Sequence, residues 1–361
     1  MTIAAHIPVL KDPEEDSLFS SLLLLAAAEP DHHFILFFDG IPAKALPENC
    51  TPVPANPSIR NSLLLHYWYN FKLPKLLLRY GASLFISKRN ALSLRTSLPQ
   101  LMLVSKLPGK AQSQYGRYIT KYFPAFIEKA AAVLSALPHV TEQLSARFSS
   151  AKNKISSLPR FIHEAYQPLT WQEKETNQQR YSLGKEYFVF VASAATVAYS
   201  TALLKAFSRF KKWQKSGIRM VILLDDIAES LAVKDFNLYK FREEVSMIRI
   251  TDHATSAAII GSAFAMIQPD QLHTGNHLFH GLSAGIPVIG LDTPENRTDF
   301  SNAILYSSAD EKSISQNMIR IYQDEHGRAE LLANAANLAA QHTPSRSAQF
   351  LWEKILAVSG V

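Results

Sequence analysis

YFVFVASAATVAYSTALLKAFSRFKK, residues Tyr187 to Lys212, opens with an unbroken β-rich apolar run, Tyr187 to Val191, that suits a strand buried on both faces. A turn of small residues follows at Ser193, and the remainder reads as a helix. Strand, turn and helix in this order form the repeating unit of a parallel sheet covered by helices. The unit recurs downstream. Further strands are expected at Arg219 to Leu224, Ser246 to Ile250, Ala263 to Ile267, Val288 to Leu291 and Ile304 to Tyr306, with helices between them. A helical tail is expected over Asp310 to Gln323, Arg328 to Gln341 and, after Pro344, Ser345 to Val358.

Upstream, the same alternation places strands at Thr2 to Ala5, Phe34 to Phe38, Leu84 to Ser87, Gln100 to Val104, Ala132 to Ser135 and Lys154 to Leu158. Helices are expected at Ser17 to Ala28, Leu63 to Tyr80, Tyr115 to Lys129 and Pro138 to Phe148, with Pro74 and Pro124 kinking or dividing two of them. Between the two sets, Pro168 to Lys185 (PLTWQEKETNQQRYSLGK) turns polar and loses strand character, so it reads as an interdomain linker. The fold class is therefore α/β, with two Rossmann-like domains facing a central cleft at the carboxyl ends of their strands. Pattern alone fits a two-domain binding protein as well as a nucleotide enzyme.

At 361 residues, with 47% hydrophobic and 19% charged side chains, the chain is long enough for two buried cores. One cysteine, Cys50, excludes an intramolecular disulfide and leaves the cytoplasm as the default compartment. The apolar run Ser17 to Ala28 is preceded by Asp12, Glu14, Glu15 and Asp16 where a signal peptide would carry basic residues, and it is too short to span a bilayer. Lys and Arg exceed Asp and Glu by 37 to 31, a net charge of +6 that permits an anionic partner without choosing among a nucleotide, a membrane surface or nucleic acid.

Three segments resemble the family 4 glycosyltransferases of the GT-B fold. Tyr187 to Lys212 is similar to that family's YFLYVGS..PRKN...LLEAF..FK stretch. Ile248 to Pro269 (IRITDHATSAAIIGSAFAMIQP) is similar to its strand, short helix and strand ending in a polar turn. Leu272 to Ile289 (LHTGNHLFHGLSAGIPVI) stands against EGFGLPVLEAMACGVPVI, with Gly285, Pro287, Val288 and Ile289 at the G-x-P-V-I positions. Looser likeness covers Trp68 to Leu78, Pro99 to Val104, Pro159 to Pro168 and the terminal helices as far as Trp352. The resemblance implies an acceptor-side domain at 1–168, a linker at 169–185, a nucleotide-sugar donor domain at 186–343, and a terminal helix at 344–361 that packs back on the first domain.

The family's charged residues are mostly replaced. Its two glutamates align with Leu272 and His280, and the Arg and Lys that neutralise the leaving diphosphate align with Val197 and Ala198. Its glycine-rich amino-terminal loop is Pro13-Glu14-Glu15-Asp16-Ser17 here, and the acid of its H-D pair appears as Lys106 after Ser105. Without a cationic cluster, the charge developing on a departing diphosphate lacks its usual stabilisation. What remains on the donor side is Ser193 at the strand-to-helix turn, the helix expected to begin near Gly275 and Asn276, with Thr274 and Asn276 as caps of that helix or as phosphate contacts, and His280 in place of a ribose-binding glutamate. No catalytic residue and no cofactor are implied.

His273, His277 and His280 share one helical face if the helix extends that far back. They can be read as metal ligands, as histidines satisfied by local hydrogen bonds, or as ligand contacts; with no H-E-x-x-H pattern and no nearby cysteine, no metal is expected. Asp225 and Asp226 end an expected strand, either as functional carboxylates or as caps of the next helix. Lys72 to Tyr80 and Lys106 to Tyr122 mix basic and aromatic residues, as a solvated helix face or a peripheral membrane contact would. Nucleic acid is the weaker alternative, since no binding module accompanies the charge. The expected function is transfer of a sugar from a nucleotide-sugar to a glycan or lipid-linked acceptor, with a weakened donor site; the rival is an inactive relative that binds or scaffolds an active transferase.

Overall fold

A computed structural model describes residues 1–8, 16–40, 45–56, 61–109, 113–193, 196–224, 236, 239–269 and 276–360. Two compact units divide the chain, one formed by residues 1–161 with 342–361 and the other by 162–341.

In the first unit seven strands pair in parallel: β1 (Thr2–Ile7), β2 (His33–Phe38), β3 (Cys50–Pro54), β4 (Leu84–Ser87), β5 (Gln100–Leu103), β6 (Ala132–Ser135) and β7 (Ile155–Ser157). Their order, β3-β2-β1-β4-β5-β6-β7, reverses between β1 and β4. The period-2 alternation of a strand sorts the side chains into two apolar layers. Ile3, Ala5, Phe34, Leu36 and Phe38 face one layer, while Ala4, Ile35 and Phe37 face the other. Helix Ser17–Ala28 covers the first with Leu18, Leu22 and Leu25, and the closing helix Pro344–Ser359 joins it through Leu351 and Ile355. The Ser21 and Ser347 hydroxyls meet at 2.9 Å between these two helices. The opposite layer is closed by Leu65, Trp68, Leu73 and Leu77 and by Phe123 and Phe126 of helix Gln114–Lys129.

The second unit repeats the plan with β8 (Tyr187–Ala192), β9 (Arg219–Leu224), β10 (Val245–Arg249), β11 (Ala265–Gln268), β12 (Val288–Leu291) and β13 (Leu305–Ser307), in the order β10-β9-β8-β11-β12-β13 and all parallel. Its reversal lies between β8 and β11. The α/β class with two doubly wound units is thus the observed architecture.

Three local features differ from expectation, while the division of the helix ahead of Pro74 agrees with it. Cys50–Pro54 is a strand despite Pro52 and Pro54, because β3 lies at the sheet edge and needs a partner on one side only. Most of the polar stretch Pro168 to Lys185 is a helix, Trp171–Ser182, within the second unit. Its signal is the capping box: the Thr170 hydroxyl accepts from the Glu173 N–H while the Glu173 carboxylate accepts from the Thr170 N–H at 2.8 Å. Helix Ser62–Tyr67 runs through a π turn, Trp68–Lys72, into helix Leu73–Arg79, which places Pro74 in the first turn of the last piece, where its missing N–H costs least. Pro124 sits inside Gln114–Lys129 without dividing it. No described helix is long and apolar enough to cross a membrane.

Candidate functional site

In open α/β sheets ligands bind beyond the carboxyl ends of the strands, where the strand order reverses. Each unit has one such point.

In the second unit, β8 and β11 pair only at Ala265 with Phe188 and Met266 with Val189, then separate. The gap is bridged by Gln268, fully buried at the end of β11: its Oε1 accepts from the Val191 N–H and its Nε2 donates to the Val191 carbonyl, both at 3.1 Å. The same carbonyl accepts from the buried Thr196 hydroxyl at 2.9 Å. Thr196 in turn accepts from the Ser193 N–H at 2.9 Å and lies 3.2 Å from the Ser193 hydroxyl. Ser193 is therefore held in a compact turn by Thr196, and the strand end before it by Gln268, two residues that spacing alone does not single out. Val197 begins a 3-10 turn, Val197–Tyr199, that leads into helix Ser200–Gln214. Its side chain packs against the apolar layer built on Phe188 and Leu203, whereas Ala198 is exposed.

Thr274 and Gly275 lie outside the described residues, as do Leu272, His273, Asp225, Asp226 and Pro13 to Glu15. Asn276 precedes helix His277–Ser283, and its side chain makes no cap hydrogen bond. That helix has seven residues, so its dipole is short. His280 is 1% exposed, and its ring lies flat on Tyr166, 3.7 Å between centroids at 4°. The Tyr166 hydroxyl meets His253 Nδ1 at 3.2 Å, and the His253 ring stacks on His163 at 4.5 Å. His277 stands edge-on to His280 at 5.6 Å. Among the described residues no group of three or more His, Cys, Asp or Glu is placed to hold a metal ion.

The first unit carries a polar network that the sequence reading did not assemble. His6 on β1 sits opposite Ser87 on β4, Asp39 directly follows β2, and Arg89 lies just past β4. His6 Nε2 is 3.2 Å from the Asp39 carboxylate, His6 Nδ1 is 2.8 Å from the Tyr69 hydroxyl, and that hydroxyl is 2.9 Å from Ser87 Oγ. An ionised carboxylate only accepts, so Nε2 carries the hydrogen, Tyr69 donates to Nδ1, and Ser87 donates to Tyr69. Arg89 pairs with Asp39, and Lys88 pairs with Asp16, which also caps helix Ser17–Ala28 by accepting from the Phe19 N–H at 2.9 Å. Burial, and secondarily the Arg89 charge, hold the imidazole of His6 well below its usual 6.5, so it is neutral at pH 7. Burial pushes the Tyr69 phenol up. Ser105 and Lys106, after β5, are exposed. Long sequence separations, 63 residues between His6 and Tyr69 and 72 between Asp16 and Lys88, hide these contacts from local motifs.

No protein-family model and no curated protein matches the chain. Solved structures do match. Over 99% of this chain and 98% of the other, it is similar to a glycosyltransferase from Rickettsia africae, with a TM-score of 0.77 at 12% identity. The fold is GT-B. The GT-B likeness extends to Anabaena HepE, solved in complex with UDP-glucose, at a TM-score of 0.70 and 11% identity over 99% of this chain and all of that one. It extends also to a sucrose-phosphate synthase from Thermosynechococcus elongatus, at a TM-score of 0.68 and 15% identity over 99% of both chains. At such identities the likeness is one of backbone, and it is carried by the two reversed sheets described above.

Proposed function

We propose that the protein is a glycosyltransferase that moves a sugar from a nucleotide-sugar donor to a glycan or lipid-linked acceptor through a donor site of reduced positive charge. The observation that carries this reading is the full-length GT-B fold, shared with a protein that holds UDP-glucose. In the proposed site Ser193, Thr274, Gly275 and Asn276 are assigned to the diphosphate as hydroxyl, amide and backbone donors, and His280, whose ring is stacked on Tyr166, is assigned to the ribose side. Neutral donors replace cations there. Because hydrogen bonds to charged groups contribute about 1.5–3 kcal/mol each, loss of two side-chain cations leaves donor binding weak. The exposed Ala198 and the packed Val197 also favour a second reading, a GT-B protein that binds an active transferase without catalysing transfer.

Calorimetry with nucleoside diphosphates and their sugars tests both. Weak binding of a nucleoside diphosphate, together with sugar transfer, is the expected result; no binding to any nucleotide would favour the scaffold. Ala198→Lys should raise diphosphate affinity by about tenfold, less at high salt, because the added charge reaches the same turn without disturbing packing. Val197→Arg should instead lose stability, since its side chain leaves an apolar layer.

A further inference from the structure

Between Glu48 and Glu128 the sequence holds eleven Lys or Arg and no Asp or Glu, although the whole chain has 31 acidic residues. The acid-free run contains the continuous helical stretch 62–79. Its exposed side chains Leu63, Tyr67, Phe71, Lys75 and Arg79 recur every four residues, with Leu78 beside the last. On a regular α-helix a four-residue step overshoots one turn by about 40°, so such a series would wind around the axis. The π turn Trp68–Lys72, with more residues per turn, takes up part of that drift and holds the series closer to one side.

The exposure of this stripe is high: Leu63 and Leu78 at 79%, Tyr67 at 50% and Phe71 at 39%. The Tyr67 and Phe71 rings stack 6.1 Å apart, and the Arg95 guanidinium lies 4.0 Å from the centre of the Phe71 ring. On the neighbouring helix Gln114–Lys129, Tyr118 meets His66 of the stripe's own helix at 2.9 Å, and Arg117 and Lys121, one turn or less from Tyr118, are exposed. Apolar and aromatic side chains thus stand in a cationic field with no carboxylate contributed by the intervening chain.

We propose that this face docks on an anionic lipid bilayer, with Leu63, Tyr67, Phe71 and Leu78 entering the headgroup layer and Lys75 and Arg79 against its phosphates. A bilayer offers both partners the stripe requires, negative charge outside and hydrocarbon beneath. Duplex nucleic acid offers the charge but nothing to receive two leucines. The proposal deepens the reading of a lipid-linked acceptor, yet its test uses neither donor nor activity, so each can fail alone.

The full-length protein is sedimented with vesicles of phosphatidylglycerol and phosphatidylcholine in equal parts, and with vesicles of phosphatidylcholine only. Binding to the first and not the second is expected. The variants Leu63→Ser/Tyr67→Ser/Leu78→Ser and Lys75→Glu/Arg79→Glu should each lower partitioning by more than about tenfold, since one cation near such a surface is worth about fivefold. Trp213→Ser, an equally exposed aromatic of the second unit, should change nothing. All these positions are exposed, and circular dichroism checks that each variant is folded. Failure of the wild type to bind anionic vesicles, or undiminished binding by both multiple variants, would overturn the proposal. So would tighter retention on duplex DNA than on the vesicles.

Discussion

His6 shows how a single side chain ties a strand to its surroundings. Its ring stacks on Trp68 at 4.7 Å and exchanges hydrogen bonds with Tyr69 and Asp39, all in a neutral state that burial enforces. Neutrality has a pH consequence. Below about 6.5 the unfolded chain protonates this histidine while the folded chain resists, so stability falls as pH drops from 6.5 toward the lower folded value, by at most about 1.4 kcal/mol per pH unit. Urea denaturation of wild type and His6→Gln between about pH 7.5 and 5.5 should show this slope in the wild type and a shallower one in the variant. Equal slopes would mean that His6 is not the group responsible. The residues named from the sequence as candidate donor contacts rest on a family pattern alone; Gln268 and Thr196, which fix the strand end and the turn around Ser193, carry no such mark, because their partners are backbone atoms of Val191 and no motif records them.

Helix His277–Ser283 ends in an arrangement that accounts for Gly285. The Ile286 N–H donates to the Gly281 carbonyl and the Gly285 N–H to the Leu282 carbonyl, both at 3.1 Å, which is a Schellman close with Gly285 at φ +70°. A Cβ there would also stand 3.2 Å from the Pro168 ring. Gly285→Ala should therefore cost about 1–2 kcal/mol, and Gly285→Asn less, because asparagine visits the left-handed region more readily. Chemical denaturation of the two variants checks the order. Elements whose reason is local, such as this close, could be read from sequence. Cys50–Pro54 could not, since its prolines are tolerated only by an edge position that the sheet as a whole creates. Trp171–Ser182 was obscured for a different reason: its exposed polar face gives no apolar period, and only Thr170 and Glu173 mark its start.

For the molecule as a whole, the strand and helix alternation sufficed to recognise two doubly wound units, because buried parallel strands leave continuous apolar runs. The first unit is discontinuous in sequence, and that has a measurable effect. Deleting residues 342–361 removes Ala348, Leu351 and Ile355 from the layer they share with Leu18 and Leu22. Hydrogen exchange should then quicken in β1, β2 and β4 while β8, β11 and β12 keep their protection. Uniform loss of protection in both units would show that they unfold together. The interrupted connectivity also bears on synthesis. A ribosome must make the 180 residues from Ile162 to Gln341 before it reaches the helix that completes the first unit, an interval on the order of ten to forty seconds at ordinary rates of translation. During it, the apolar side of Leu18, Leu22 and Leu25 lacks one of its covers, and the nascent chain is a natural client for a chaperone that holds hydrocarbon surface until the last turns emerge.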